Sequence, residues 1–554
     1  MAVKGIPLWQ QKAAEARAHR DASLAKVEPP LKGVPAAEQL PNNSLELVPH
    51  VLTPREIEIT ESYTVTELLQ VLRERKISVE EVTRAFLRRA ALAQATTNCV
   101  TELLWDQAIA RAKHLDSLPF PQGALFGLPI STKEHLGMIG ENVTSNASFA
   151  AWVGKPHGSN LLFDSLWAEG CVFFARTTQP QAIMHLETES NVYGRTVHPL
   201  NRELTPGGSS GGESALLGMR GSLLGIGGDI GGSIRLPASN TGIYGFKPST
   251  KRISTSGLRA AYLGRDTIAG CPGPMTVSRD GLELLMRVAL AAKPWRVDPL
   301  LTVKDWTPFK FTTPPKVAVQ WWDGVVMPHP PMKRALRKVA AACRKAGMEV
   351  VDWNCEGLDH GKAWEIVSAL YWPDGGKEML DILEETGEPA LPLTKHILYE
   401  QTSAKNRTCT EMMETNISIS TQLNRERDSY RAMYCKAWSA TATPTSREVD
   451  VILCPPSFGS APPHEQSRYW GYTSQWNLLD YPGAVFPVTK VDPAVDVKDE
   501  GYLPKNDMDR FVWEMYDGEK MKGSPVNLQV VGRRQEEEKV LAALEEIERA
   551  MGRK

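Results

Sequence analysis

Hydrophobic positions along the chain alternate between the 3.6-residue period of amphipathic helices and short apolar runs of buried-strand length. Near the C-terminus Val540, Leu544, Ile547 and Met551 recur at +4, +3 and +4, one apolar stripe, and Glu536 to Glu538 precede it at the positive end of the helix dipole. Two further helix starts carry capping signatures. Thr64-x-x-Glu67 precedes Leu68, Leu69 and Leu72, and Ser78-x-x-Glu81 precedes Val82, Ala85, Phe86 and Ala90. The run Ala124 to Ser131, bounded by Gly123 and Gly127-Leu-Pro129, predicts a buried strand that delivers Lys133 at its end. Leu161 to Glu169 then predicts a helix and Cys171 to Ala175 a strand. Pro314 to Gln320, Met332 to Ala346 and Glu349 to Asp352 repeat the strand–helix–strand rhythm. Residues 360–440 have a mostly helical pattern, and Val449 to Leu453 reads as another strand.

That rhythm predicts an α/β fold in one large domain, a mixed, mainly parallel central sheet covered by helices on both sides. Residues 1–60 differ. They are rich in Ala, Lys, Glu and Pro, with a helix expected near Leu8 to Lys26 and an irregular stretch through Pro29, Pro30, Pro35 and Pro41. The division expected is an N-terminal helical arm, 1–60, wrapped on a main body, 61–554.

Composition narrows the function. The 554 residues are 42% hydrophobic and 23% charged, enough to bury a sizeable core. Lys plus Arg is 63 against 65 for Asp plus Glu, a balance of −2 that argues against an electrostatically driven nucleic-acid binder. The best apolar stretch, Leu282 to Ala292, is broken by Glu283 and Arg287, so no membrane span is expected. Met1 to Arg20 lacks a continuous apolar region, so no secretory signal is read and a cytoplasmic location is expected. Eight scattered cysteines contain no C-x-x-C pair and predict neither a zinc site nor a disulfide framework. Asn142-Val-Thr144 and Asn406-Arg-Thr408 match the glycosylation pattern and, without a signal peptide, read as chance.

The chemistry concentrates where glycine does. Between Pro206 and Gly245 lie 13 of the 43 glycines. Glycine collects where backbone must turn or approach something closely. Ser209 sits in Gly207-Gly208-Ser209-Ser210-Gly211-Gly212, and Ser233 in Gly231-Gly232-Ser233-Ile234-Arg235. A nucleophilic hydroxyl needs a tight exposed turn, a base, and backbone donors for an oxyanion. Consecutive N–H groups from Ile230 to Ser233 form a candidate nest, and Asp229 with Arg235 a candidate charged lock on that loop. Lys133 is the candidate base, because burial lowers a lysine pKa. Its plain alternative is a paired structural lysine, with Glu134 as the nearest partner. The eleven histidines show no setting tied to either serine.

Two rivals stand beside this reading. Gly207-x-Ser209-x-Gly211 matches the G-x-S-x-G elbow of α/β-hydrolases. It would make Ser209 the nucleophile, with His329, His360, His396 or His464 as partner. A phosphate cradle fits poorly: no G-x-x-x-x-G-K-[ST] occurs, and Gly225-x-Gly227-x-x-Ile230 lacks the third glycine. Trp152, Met184, Trp321, Trp322, Tyr371 and Trp372 are candidate pocket walls or core packing. Their number hints at an apolar acyl group.

Lys133, the Gly207–Gly212 loop with Glu213, and Asp229-Ile-Gly-Gly-Ser233-Ile-Arg235 resemble the amidase signature family, and Gly242-Ile-Tyr-Gly-Phe-Lys-Pro248 fits the end of that signature. Thr177-Thr-Gln-Pro180, Asn191 to Pro199, Trp476 to Asp480, Pro482 and Pro525 to Gly532 look like its fungal acetamidase branch, so the resemblance spans roughly 60–550. It implies an amidohydrolase with Ser233 as acyl-forming nucleophile, Ser209 as bridging serine beside a cis peptide bond, and Lys133 as base. It further implies oxyanion donors at Ile230, Gly231, Gly232 and Ser233, a substrate contact through the Ile183 carbonyl, and supporting roles for Ser210, Asp229 and Arg235. Neither a metal nor an organic cofactor is implied. The expected partner is a small-molecule amide; a homodimer and an ammonia-transferring assembly both stay open. One departure is Glu134, where many relatives have Asp, which bears on how Lys133 is held.

Overall fold

The structure, a computed structural model, describes residues 5–140, 143–264, 266–372, 374–400 and 409–553. Both glycosylation-like motifs involve positions outside them. Among the described residues, eleven strands form one sheet. These are β1 (Val100–Leu103), β2 (Pro129–Lys133), β3 (Val172–Thr177), β4 (Leu224–Asp229), β5 (Tyr244–Lys247), β6 (Cys271–Thr276), β7 (Val317–Val319), β8 (Val350–Asp352), β9 (Val451–Cys454), β10 (Gly483–Lys490) and β11 (Pro525–Val531). Their spatial order is β1-β3-β2-β4-β6-β5-β10-β11-β9-β7-β8.

The sheet is mixed, as expected. Its parallel pairs form two blocks, β3-β2-β4 and β9-β7-β8. The other six neighbouring pairs are antiparallel: β1 on β3, and the run from β4 through β6, β5, β10 and β11 to β9. The rhythm read along the sequence is the rhythm of the two parallel blocks. Between them the glycine-rich segment and the C-terminal strands interleave, so distant pieces of chain meet with reversed direction. All six residues of β3 and all seven of β11 are buried. Successive side chains leave a strand on opposite faces, so both faces are covered. Helix Val79–Thr97 packs on β1, β2 and β3, while helices Pro330–Lys345 and Glu537–Ala550 pack on β10 and β11. A second core, dominated by Trp353, Tyr434, Trp438, Trp476 and Tyr481, lies under the helices of the 360–440 region.

Local signals fix several boundaries. Thr64 accepts the Glu67 N–H, and Glu67 returns to the Thr64 N–H at 2.9 Å, a complete capping box. Ser78 makes only half of one: its hydroxyl accepts from Glu81 N–H at 3.1 Å, but Glu81 pairs with Arg55 at 2.8 Å. A third box, Thr53 with Glu56, opens helix Pro54–Glu61 and was not anticipated. The strand expected from Ala124 begins only at Pro129. Before it, Ala124 N–H donates to the Glu169 carboxylate, Leu125 and Gly127 N–H to the Glu169 and Gly170 carbonyls, and Leu128 N–H closes a turn on the Leu125 carbonyl, yet Lys133 still ends the strand.

The N-terminal helix runs Leu8–Leu24 and lies on β1, where the Leu103 N–H donates to Ser23 Oγ at 3.0 Å and His19 meets Glu102 at 2.9 Å. Among the described residues no helix is long and apolar enough to cross a membrane.

Leu544 is fully buried on the C-terminal helix, one turn from Val540 and Ile547. Leu544→Ala is expected to cost about 3 kcal/mol through lost transfer energy and the cavity left behind, read as a lowered urea midpoint.

Candidate active site

Lys133 ends β2 with no solvent exposure, and its Nζ donates to Ser209 Oγ at 2.6 Å. Ser209 follows Gly208 across a cis peptide bond. Glu134 is engaged elsewhere. Its carboxylate accepts the N–H groups of Asn146 (2.6 Å) and Ala147 (3.0 Å) and Gln179 Nε2 (3.0 Å), with Arg176 at 3.8 Å. The residue that departs from the expected aspartate therefore organises the 145–148 loop rather than the lysine. Burial drives the Lys133 pKa down to about 7, against the opposing pull of Asp229 and Glu213. Burial likewise pushes Glu213 up to about 7, although the hydroxyls of Ser131 and Thr177 donate to it, Thr177 at 2.6 Å.

Ser233 lies in the turn between β4 and helix Arg235–Thr241, and Asp229 builds that turn. Asp229 accepts the N–H groups of Gly232 (2.9 Å), Ile234 (3.2 Å) and Arg235 (3.4 Å), two guanidinium contacts from Arg235 at 3.0 Å, and Asn477 Nδ2 at 2.9 Å. Burial opposes its ionisation, but Arg235, helped by Lys247 and Asn477, holds the carboxyl well below the usual carboxylate range. Arg235 is itself fully buried and also donates to Asn477 Oδ1 (2.7 Å) and the Thr473 carbonyl (3.0 Å).

The nest is aimed from outside. Tyr371 Oη donates to the Ile230 carbonyl at 2.5 Å, and Thr473 Oγ1 to the Gly231 carbonyl at 2.7 Å. Each bond fixes a planar peptide unit, and with it the N–H on the opposite side. The N–H groups of Ile230, Gly231 and Ser233 have no hydrogen-bond partner among the described residues. Gly232, expected as a fourth donor, already gives its N–H to Asp229, so a bound oxyanion would have to share it. Gly232 has φ +131, and a Cβ there would stand 2.3 Å from Thr473 Oγ1, so only glycine fits. Ser210 ties the two loops: its N–H donates to the Ser233 carbonyl at 3.1 Å.

Lys133, Ser209, Ser233, Asp229, Ile230 and Ile183 all border one pocket of about 190 Å³. Gly231, Gly232, Ser210 and Arg235 are not among the residues that border it. Ala182 and Ile183 have φ 60 and 63, and a β-branched residue in that region is a conformational outlier of the kind that clusters at functional sites. Of the residues that could be wall or core, Met184 borders the pocket. Trp152 packs on Phe149 and under Arg259, Trp321 and Trp322 lie at the distant β7–β8 edge, and Trp372 packs on Tyr371. The wall is instead largely aliphatic, with Leu136, Leu258, Ile268 and Met379.

Sequence reasoning passed over His135, which also borders the pocket, and over Thr473 and Asn477, which come from the far C-terminal part of the chain. Asn477 sits inside the Trp476–Asp480 stretch already singled out, a signal without an assigned task. The four histidines of the elbow reading bind elsewhere: His329 to the Val512 carbonyl, His360 to that of Asp323, His396 to Glu400 and His464 to the Arg202 carbonyl.

Buried lysine, two serines on glycine turns and a nest of free amides define a hydrolase-type site on this sheet. The amidase family model matches residues 81–541, and the chain belongs to that family. It is similar to a Schizosaccharomyces pombe protein provisionally named an amidase, at 42% identity over 97% of this chain and 98% of the relative. It is also similar to an acetamidase of Emericella nidulans, at 34% identity over 98% of each chain. Among solved structures, a fatty acid amide hydrolase superposes with a TM-score of 0.88 at 32% identity, covering 98% of this chain and 95% of that one. The chain is an amidase.

Asp229→Asn would leave the buried Arg235 guanidinium without its counter-charge. A loss of about 3–5 kcal/mol is expected, measured by urea denaturation, with a smaller loss for Asn477→Ala.

Proposed function

We propose that the chain hydrolyses carboxylic amides to carboxylate and amine, ammonia for a primary amide, through an acyl-enzyme on Ser233. The observation that carries this is the 2.6 Å contact between buried Lys133 and Ser209 in a pocket that also presents Ser233. In neutral form Lys133 accepts from the Ser209 hydroxyl, reversing that hydrogen bond. Ser209 then takes the proton of Ser233, whose oxygen attacks the amide carbon. Negative charge grows on the carbonyl oxygen and meets the N–H groups of Ile230, Gly231 and Ser233, with that of Gly232 shared with Asp229. Such pre-aimed donors cost no reorganisation during reaction, and losing one typically costs about 3 kcal/mol. The proton returns through Ser209 to the departing nitrogen. Water, deprotonated by the same relay, then clears the acyl group.

Ile183, in its left-handed conformation beside the pocket, is read as holding the substrate through its carbonyl. Ser210, Asp229 and Arg235 act through the two serine loops. The elbow alternative loses support because Ser209 pairs with a lysine and not with a histidine. Residues 61–554 carry the catalysis in this reading, and the arm of residues 1–60 braces β1.

Ser233→Ala is expected to abolish ammonia release from a panel of aliphatic and aromatic primary amides, and a fluorophosphonate probe to label Ser233. Labelling of Ser209 instead would reverse the two roles. The Lys133 pKa, lowered to about 7, sets the pH dependence. Below it the amine is protonated and cannot accept from Ser209, so kcat/KM rises with pH through about 7 and levels above it. A profile flat down to pH 5 would remove Lys133 as base.

A further inference from the structure

The relay makes no use of His135, two residues beyond the lysine. The ring borders the pocket shared by Lys133, Ser209 and Ser233, and the residue is only 6% exposed. Its backbone is held on both sides: its N–H donates to Gln179 Oε1 at 3.3 Å, and Arg259 N–H donates to its carbonyl at 2.8 Å. Nδ1 is buried and meets no hydrogen-bond partner among the described residues. Nε2 is therefore the nitrogen left on the pocket side. Gly228 makes its place, because a Cβ there would stand 3.3 Å from Cε1 and 3.5 Å from Nε2 of the ring.

Burial, and then the charge of Lys133, hold the imidazole pKa well below its ordinary value, so the ring is neutral and carries one N–H. A buried donor left without an acceptor is rarer in proteins than a buried acceptor left without a donor. The proton accordingly belongs on Nε2, with the lone pair on buried Nδ1. The pocket wall combines the apolar side chains of Leu136, Ile183, Met184, Leu258 and Ile268 with polar groups of Thr255 and Tyr262 beyond the lysine and serines, and the imidazole is one of the polar groups on it.

We propose that His135 is a specificity-determining residue whose Nε2–H donates a hydrogen bond to an acceptor oxygen on the substrate outside the reacting amide. The enzyme would then prefer amides that carry an ether, hydroxyl or carbonyl oxygen at the matching position over their all-carbon isosteres. This rests on the amidase mechanism proposed above. The reason for discrimination is general: a water-poor site built to donate a hydrogen bond disfavours a ligand that leaves the donor unpaired.

The test is a series of alkoxyalkanamides in which the ether oxygen steps along the chain, each paired with the alkanamide that has a methylene in its place. In the wild type the ratio of kcat/KM, ether over isostere, is expected to peak at one position by about five- to tenfold. In His135→Phe, which keeps a ring but no donor, that peak should vanish. In His135→Gln, which restores an N–H donor, part of it should return. No peak at any position in the wild type overturns the proposal. So does a peak that survives in His135→Phe while both rates of each pair change alike, since that is the signature of packing alone. The same pairs titrated by calorimetry into Ser233→Ala protein read the contact without turnover. A Kd ratio that follows His135, alongside no hydrolysis of any amide by the wild type, would keep this contact and discard the mechanism. A Kd ratio that ignores His135 would discard the contact whether or not amides are cleaved.

Discussion

The buried pair of Asp229 and Arg235 is the constraint on which the rest of the site depends. Neither side chain is exposed, and taking two charges out of water is costly unless every donor and acceptor is satisfied. Here the satisfaction is nearly complete, and it is spent on backbone. The carboxylate collects three N–H groups from the turn that carries Ser233, and the guanidinium reaches across to the Thr473 carbonyl and Asn477. The pair thereby clamps the end of β4, the start of the following helix and the helix Gly471–Leu479 into one unit. A turn held that firmly keeps its remaining amides fixed in direction.

The same low dielectric acts in the opposite sense on Lys133. It has acidic neighbours but no salt-bridge partner among the described residues: Asp229 is taken by Arg235, and Glu213 is held by Ser131 and Thr177. With the charge uncompensated, burial wins and the amine becomes available near neutral pH. Two ionisable groups a few residues of sheet apart are thus driven in opposite directions by one environment. The difference is whether a counter-charge has been built in, and that separation of pKa values allows a fixed negative charge and a neutral amine in one pocket.

Much of this was legible along the chain. The glycine density located the loops, the end of a short apolar run located Lys133, and the Asp229–Arg235 spacing suggested the lock that is observed. The amphipathic stripe at Val540, Leu544 and Ile547 is buried as its period predicts. Other readings missed for identifiable reasons. The antiparallel run between the two parallel blocks has no counterpart in the strand–helix–strand rhythm along the sequence. One of the six antiparallel pairs, β5 with β10, joins segments from opposite halves of the chain. The tryptophans, readable as pocket walls or as core packing, fill cores and edges; aromatic bulk alone does not distinguish a lined cavity from a packed one.

By itself the sequence determined which groups are on hand: glycine turns, two serines, a lysine at a strand end and a charged pair, because residue type and short-range spacing dictate local conformation and intrinsic chemistry. Only the tertiary structure decided what those groups are. Whether Lys133 pairs with Glu134 or faces Ser209, whether Tyr371 is packing or an anchor for the Ile230 carbonyl, and whether His135 lies in the core or on the pocket wall each depend on contacts between distant segments. They depend also on the water those contacts exclude. Long-range packing sets the dielectric and the partners around a side chain, and no pattern read along one segment contains that information.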